Sequence, residues 1–229
     1  MVEELARLDY KNHILFLVLA GCSATLDNPD PHKEFNKEML ELNLALDKNV
    51  LKPVSSAYKD IVPDVMRESV SNFLFNLSEP FYFINYLITM DGEHAVNSFF
   101  RFAINSTLGI LGFFDVGCYL GFPKAGTSHK DTLKKLEIPT GDYLVLPVLG
   151  ASSTRDTVAE PISWFVDPVG YFIGFPYMCA RFVLTTISDR AENTTIDSTI
   201  QNSVDVYSTY RSFYLQKYGE NEKEDYSSD

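Results

Sequence analysis

Apolar residues recur at helical spacing along much of the chain, and this pattern predicts a mostly helical protein. In residues 35–51 they stand at positions 35, 39, 42, 46 and 50, on one face of a helix. Pro53 is expected to end this helix, because proline lacks the backbone N–H that a helix interior needs. A second helix is expected to open at Pro63, and Pro80 is expected to divide the aromatic run over residues 72–88 into two helical pieces joined by a kink.

The middle of the chain passes from a third predicted helix, residues 94–109, into an apolar stretch with spaced glycines. These glycines are Gly109, Gly112, Gly117 and Gly121. Glycine inside an apolar element costs about 1 kcal/mol relative to alanine, so each position needs a reason, such as close approach of the backbone. Tight helix packing and the wall of a narrow passage both remain open as that reason.

The second half of the chain alternates polar and apolar segments. Residues 124–142 are polar and predict a loop, whereas residues 143–150 predict a short strand or an extended buried segment. Ser153 suits the N-cap of a short helix, which Pro161 is expected to end or kink. The uncharged residues 168–180 follow directly after a stop at Asp167-Pro168.

The clearest predicted helix is the last one. It is expected to begin near Thr194, to carry a stripe of apolar and tyrosine side chains, and to end at Gly219. Beyond it, residues 219–229 contain five acids and one lysine, which predicts a solvated, disordered tail.

The N-terminus contains a short apolar run that stops at a cysteine. Residues 14–20 are uncharged and too short to span a bilayer, which takes about 20 apolar residues. Small residues precede Cys22, as a signal cleavage site requires, although the segment before the run is acidic where a signal should be basic. Residues 1–21 therefore predict a signal peptide of lipoprotein type, with Cys22 acylated; a buried N-terminal helix is the alternative.

Charge and cysteine content narrow the classes of protein. The net charge of −12 should repel nucleic acid, so no nucleic-acid partner is expected. Cys118 and Cys179 lack metal-site spacing and are interpreted as core residues, with a disulfide between them as a lesser possibility. No metal and no cofactor is expected.

Candidate chemistry is sparse, and an enzyme is not predicted. Ser56 and Lys59 match the S-x-x-K pattern of serine acyl-transferases, but its companion motifs are missing. Glu79 and Asp115 are acids within apolar blocks, where they could do acid-base chemistry or pair with Arg101 or Arg155.

Several long motifs resemble a known family. They are PDPHKEFNKEM at 29–39, VLKPVSSAYKDIVPDVMRESVSNFLFNLSEPFYFIN at 50–85, RFAINSTLGILGFFDVGCYLGFPK at 101–124 and GDYLVLPVLGASSTRDTV at 141–158. Together they are similar to the MlaA (VacJ) family of outer-membrane lipoproteins. The resemblance implies one all-α domain over residues 22–218, ring-shaped with a central channel and embedded in one leaflet.

The resemblance also implies a function and partners. Family members take phospholipids that have strayed into the outer leaflet, pass them to a periplasmic lipid-carrier protein and associate with trimeric porins. The expected location is the periplasmic face of the outer membrane, with Cys22 as the lipid anchor and Gly109, Gly112, Gly117 and Gly121 lining the channel. Residues 127–140 depart from the family pattern, so carrier contacts are not carried over there. A porin-associated lipoprotein that moves no lipid and a lipid hydrolase using Ser56 are the alternatives.

Overall fold

The computed structural model describes residues 30–192 and 203–219, and these are predominantly α-helical, which confirms the predicted fold class. The elements in chain order are α1 (Lys33–Leu46), a π-helical turn (Asp47–Leu51), α2 (Lys52–Ile61), α3 (Asp64–Ile88), α4 (Gly92–Thr107), α5 (Val116–Tyr119), α6 (His129–Lys135), β1 (Tyr143–Leu146), β2 (Gly150–Ser153), α7 (Thr154–Val166), α8 (Pro168–Ile173), α9 (Phe175–Glu192) and α10 (Val206–Tyr218). Residues 1–21, Cys22 and the tail beyond Gly219 lie outside the described residues.

Three prolines that were expected to break helices do not break them. Pro53 lies in the first turn of α2, and α1 reaches it through the π turn, whose wider bonding pattern accommodates the missing N–H. Pro80 lies inside the single helix α3 and Pro161 lies inside α7, so the predictions of two pieces and of a helix end were wrong as to continuity. One lost hydrogen bond per helix is outweighed where both halves pack on neighbouring elements, as α3 packs along α4.

The helix starts follow the predicted capping chemistry more closely. Pro63 is the N-cap residue of α3, and Asp91 caps α4 by accepting a hydrogen bond from the backbone N–H of His94. Ser153 caps α7, as predicted, by accepting from the N–H of Asp156. Ser128 forms a capping box with Asp131 and starts α6, so the prediction of a loop over residues 124–142 missed a helix.

The last helix is shorter than predicted. It begins at Val206 with Asp205 as its N-cap, because the Asp205 carboxylate accepts from the N–H of Ser208, and residues 203–205 are not helical. The prediction of one helix from residue 194 is therefore wrong at residues 203–205, and residues 194–202 lie outside the described residues. The predicted end at Gly219 is confirmed.

A small hairpin and two asparagines organise the core. Strand β1 pairs antiparallel with β2, with Tyr143 opposite Ser153. The strand predicted within residues 143–150 is confirmed for residues 143–146, and residues 147–149 form the turn to β2. On the other edge of β1, the Asn36 side chain donates to the carbonyl of Tyr143 at 2.9 Å and accepts from the N–H of Val145 at 2.8 Å. An amide on α1 therefore satisfies the strand edge as a neighbouring strand would.

Side chains from α1, β1 and α10 form the main buried apolar cluster, which consists of Met39, Leu40, Tyr143, Val145, Tyr207 and Tyr214. Tyr214 donates its phenol hydrogen bond to the buried Asp156 at 2.5 Å, so the tyrosine part of the predicted stripe packs inward at Tyr207 and Tyr214, whereas Val204 is exposed. Among the helices within the described ranges, none is both long and apolar enough to cross a membrane.

Candidate functional site

An amphipathic cavity of about 670 Å³ lies between α3, α6, α7 and α9. Its size falls within the range of pockets that bind small organic ligands. Most of its wall is apolar or aromatic, and the residues of this kind include Phe81, Tyr82, Trp164, Phe175, Met178 and Phe182. The turn between β1 and β2 contributes Val148 and Leu149. Such a wall favours an apolar ligand.

One ion pair lies in this apolar wall. Nη1 of Arg181 is 2.5 Å from Oδ2 of Asp167, and Nη2 donates to the hydroxyl of Ser78 at 2.5 Å. Asp167 also accepts a hydrogen bond from the backbone N–H of Val169, which starts α8. These contacts hold a guanidinium and a carboxylate at the cavity surface with part of each side chain accessible.

A second acid and base face the same cavity from α6 and α7. Nε2 of His129 lies 3.1 Å from Oε2 of Glu160. Burial by itself raises the pKa of the Glu160 carboxyl, but the adjacent His129 imidazole and the nearby charge of Lys130 outweigh it, so this pKa lies below its usual value. Glu160 is therefore ionised at neutral pH.

A separate buried cluster fixes the glycine-containing stretch to α3 and α4. Nε of Arg101 donates to Oε1 of Glu79 at 2.6 Å, and Nη2 lies 3.0 Å from Oδ1 of Asp115. Nη1 donates to the carbonyl of Phe122 at 2.7 Å, so one guanidinium contacts residues on both sides of the short helix α5. The two acids therefore pair with Arg101, which was the structural alternative for them.

The structure explains two of the four glycines, Gly109 and Gly112, by close packing. A side chain at Gly109 would overlap the backbone of the following turn, and one at Gly112, which has a φ of +96°, would overlap Asn76. Gly117 is buried, and a Cβ there would lie 3.4 Å from Arg101. Gly121 has open space around it and a φ of +92°. Their lining of a channel remains a prediction, and none of them lines the cavity described above.

Two stretches with almost no exposed charge present large apolar side chains to the outside. In residues 95–123 the only charged residues are Arg101 and Asp115, and both belong to the internal ion-pair cluster. The exposed apolar side chains of this stretch are Val96, Phe99, Phe100, Leu108, Ile110, Leu111, Phe113, Phe114, Tyr119 and Leu120. In the uncharged residues 168–180, Tyr171, Phe172, Ile173 and Phe175 are exposed. Exposed apolar surface of this kind is typical of contact with lipid or protein.

Of the remaining sequence candidates that the structure describes, Cys179 lines the cavity and the others lie away from it. Ser56 and Lys59 are both exposed on α2. Cys118 and Cys179 are free and exposed, so their interpretation as core residues was wrong; both adjoin apolar side chains that themselves face outward. Cys22 cannot be located, because it lies outside the described residues.

Sequence reasoning missed the ionic groups of the cavity. A usable signal was present, because Asp167 and Arg181 are the two charges that directly flank the uncharged residues 168–180. The turn formed by α8 brings them together across 14 positions of sequence. His129 and Glu160 had no comparable local signal.

The fold and the site define a class of protein: a helical protein with outward-facing apolar stretches and an internal amphipathic cavity. The model of the MlaA lipoprotein family matches residues 28–221. The chain belongs to the MlaA lipoprotein family.

Named relatives agree with this assignment. The intermembrane phospholipid transport system lipoprotein MlaA of Escherichia coli strain K12 is 31% identical over 210 residues, which are 88% of this chain and 83% of that protein. A protein of Rickettsia bellii is 32% identical over 186 residues, covering 80% of this chain and 72% of that protein. A solved structure, reported as the structural basis for maintenance of bacterial outer membrane lipid asymmetry, superposes with a TM-score of 0.75 at 30% identity, covering 82% of this chain and 96% of that chain.

Proposed function

We propose that this protein is an outer-membrane lipoprotein that removes phospholipids from the outer leaflet and passes them to a periplasmic lipid carrier, which maintains the lipid asymmetry of the membrane. The observation that carries the proposal is the cavity, in which an apolar wall surrounds two ion pairs. Its chemistry matches a phospholipid, which has apolar tails and a charged head group. A relative named for phospholipid transport and a solved structure reported for outer-membrane lipid asymmetry add support.

In this proposal the cavity forms part of the lipid passage. Acyl chains lie against the aromatic and aliphatic wall, where contact with water is reduced, and the head group lies at the ion pairs. No bond is made or broken, so the passage needs no nucleophile. The direction of transfer comes from the higher affinity of the carrier downstream, since a conduit alone cannot shift an equilibrium.

The attachment to the membrane has two parts in this proposal. Acyl chains on Cys22 anchor the protein, and the exposed apolar side chains of residues 95–123 and 168–180 contact the hydrocarbon of one leaflet from the periplasmic face. Short apolar segments suit entry into one leaflet, whereas crossing the bilayer takes about 20 consecutive residues. A trimeric porin and the lipid carrier are the proposed protein partners.

Filling the cavity tests the proposed passage. Ser163 lines the cavity and donates to a carbonyl of its own helix, so Ser163→Trp should narrow the space without removing a tertiary hydrogen bond. Ser69→Trp is the matched control, because Ser69 bonds its own helix in the same way and does not line the cavity. In cells that lack the chromosomal gene, each variant is expressed, and outer-leaflet phosphatidylethanolamine is measured with an amine-reactive probe that does not cross the membrane.

We expect the wild type and Ser69→Trp to restore clearance, and Ser163→Trp to leave outer-leaflet lipid near the level of the deletion strain. Full clearance by folded Ser163→Trp would remove the cavity from the passage. If the deletion strain itself has normal outer-leaflet lipid, the protein is a structural or porin-associated lipoprotein and the proposal fails.

Replacement of Cys22 tests the anchor separately. Cys22→Ala has no thiol to acylate, so we expect an uncleaved or mislocalised protein in fractionated membranes. Recovery of this variant in the outer membrane at the size of the processed wild-type protein, with full clearance, would contradict the lipoprotein assignment of this residue.

A further inference from the structure

The charged side chains that line the cavity carry no net positive charge. The charged side chains among the described lining residues are Arg181, Asp167, His129 and Glu160. Arg181 carries a fixed positive charge, whereas Asp167 and Glu160 are two acids, so this lining has no excess of positive charge. Among the described residues that line the cavity, Arg181 is the only permanent cation.

This balance matters because the surrounding wall is apolar. An uncompensated charge is far more costly in a water-poor, apolar environment than in water. A head group with one net negative charge would add to a lining that is already neutral or negative. A head group that has both a phosphate and an ammonium leaves the total charge unchanged.

The two ion pairs also supply matching hydrogen-bond partners. The Arg181 guanidinium has a fork of donors suited to phosphate, and Ser78 holds it in place from α3. Asp167 and Glu160 can each accept hydrogen bonds from a primary ammonium, which a quaternary ammonium cannot donate. The phosphate can therefore take the place of Asp167 beside Arg181, and the ammonium can then bind the carboxylate of Asp167.

We propose that the cavity selects phospholipids with a zwitterionic head group that combines a phosphate with a primary ammonium, and that Arg181 binds the phosphate while Asp167 and Glu160 bind the ammonium. This inference rests on the proposed function, because it specifies the lipid class that the same cavity takes.

Lipid competition tests the proposed selectivity. The full-length protein is purified in detergent, washed free of lipid and incubated with mixed micelles that contain equal amounts of phosphatidylethanolamine and phosphatidylglycerol. The lipid retained by the protein is then quantified by mass spectrometry. We expect phosphatidylethanolamine to exceed phosphatidylglycerol by about fivefold or more, since like charges placed together across a desolvated contact are strongly disfavoured.

Isosteric variants assign the preference to the two acids. Asp167→Asn removes a negative charge yet keeps an oxygen that can cap α8. Glu160→Gln removes the negative charge of a residue on α7 and keeps the size of its side chain. Each should raise the phosphatidylglycerol share towards equality. Asp60→Asn and Glu93→Gln are the matched controls, because both remove one negative charge from exposed positions outside the cavity and should leave the ratio unchanged.

The outcomes separate the two proposals. Retention of both lipids in equal amounts by the wild type, or an unchanged ratio in both Asp167→Asn and Glu160→Gln, would overturn the selectivity while leaving lipid binding in place. Retention of neither lipid by the folded wild type would count against the proposed function itself. A shift of the ratio in the control variants would attribute the preference to overall charge and overturn the assignment to the cavity.

Discussion

At the scale of single residues, Arg101 organises the part of the molecule that carries most of the exposed apolar side chains. Its side chain is 1% exposed, and it contacts Glu79, Asp115 and the carbonyl of Phe122. Asn105 extends this cluster by donating to Asp115 and by accepting from the N–H of Gly117 at 2.7 Å. The segment that contains α5 is therefore held by buried polar contacts, and its apolar side chains can face outward.

Arg101→Met should destabilise the protein strongly. The substitution leaves two carboxylates near each other without their cation, and removal of one partner of a buried ion pair costs about 3–5 kcal/mol. Thermal and denaturant unfolding in detergent measure the effect. Lys135→Met is the control, since Lys135 pairs with Asp91 in a more exposed position and should cost about 1 kcal/mol or less. Equal losses in the two variants would contradict the structural role given to Arg101.

Glu79 should make stability depend on pH. Burial raises the pKa of its carboxyl from 4.5 to about 7 against the opposing effect of Arg101. Between these values the folded protein binds a proton that the unfolded chain has released, so this contribution to stability is present at low pH and is lost as pH rises through about 7. The melting temperature should fall from about pH 5 to about pH 8, and less steeply in Glu79→Gln. Glu93→Gln, an exposed change, should keep the wild-type slope.

Residue types with a local signature were predicted better than those brought together by the fold. The pairing of Glu79 and Asp115 with Arg101 was foreseen as an alternative, because an acid in an apolar block needs a base. The role of Arg181 was not foreseen, although this residue and Asp167 flank an uncharged stretch. Its partner Ser78 lies 103 positions away in sequence, and only the packing of α9 on α3 brings the two together.

At the scale of elements, α10 joins the C-terminal end of the described chain to the hairpin and to α6. Tyr207 and Tyr214 are buried against Tyr143 of β1. The last turn accepts hydrogen bonds through backbone carbonyls, from Arg155 and Thr140 at Tyr218 and from Lys134 at Lys217. These contacts make the helix part of the folded body.

Truncations should separate α10 from the tail. Removal of residues 220–229 should leave the melting temperature within about 2 °C of wild type, because surface changes away from packing contribute little. Removal of residues 206–229 should abolish folding or reduce stability by several kcal/mol, since burial of each large apolar side chain contributes roughly 1.5–3 kcal/mol. Loss of lipid clearance from the shorter truncation, with stability and anchoring intact, would assign the tail a docking role instead.

Helix interiors were easier to predict than helix ends. The periodicity over residues 35–51 identified a helix correctly, because apolar spacing reflects the buried face directly. Pro53 was expected to end this helix and does not, and the helices also run on through Pro80 and Pro161, because the loss of one local hydrogen bond is smaller than the gain from tertiary packing. The short helix α6 has too few apolar positions to show a period, and only its capping box at Ser128 could have indicated it.

At the scale of the whole molecule, charge and apolar exposure are distributed unequally along the chain. A net charge of −12 accompanies stretches of 29 and 13 residues, 95–123 and 168–180, in which exposed charge is nearly absent. The family resemblance anticipated a body that enters one leaflet. The outward direction of these side chains could not be read from the sequence, because a buried helix has the same apolar composition.

Two matched substitutions, one inside and one outside the uncharged residues 168–180, should locate the membrane-contacting surface. Phe172 is 85% exposed within the uncharged residues 168–180, whereas Val50 is 56% exposed in a turn between Lys48 and Lys52. In an acyl-free form of the protein that starts after Cys22, Phe172→Glu should weaken binding to phosphatidylethanolamine and phosphatidylglycerol vesicles at least about tenfold. The reason is that loss of a buried phenylalanine contributes roughly 1.5–3 kcal/mol and a factor of ten corresponds to about 1.4 kcal/mol. Val50→Glu adds the same charge where no lipid contact is expected, so vesicle flotation should detect little change. Equal weakening by both variants would attribute binding to overall charge, and no weakening by either would exclude residues 168–180 from the membrane surface.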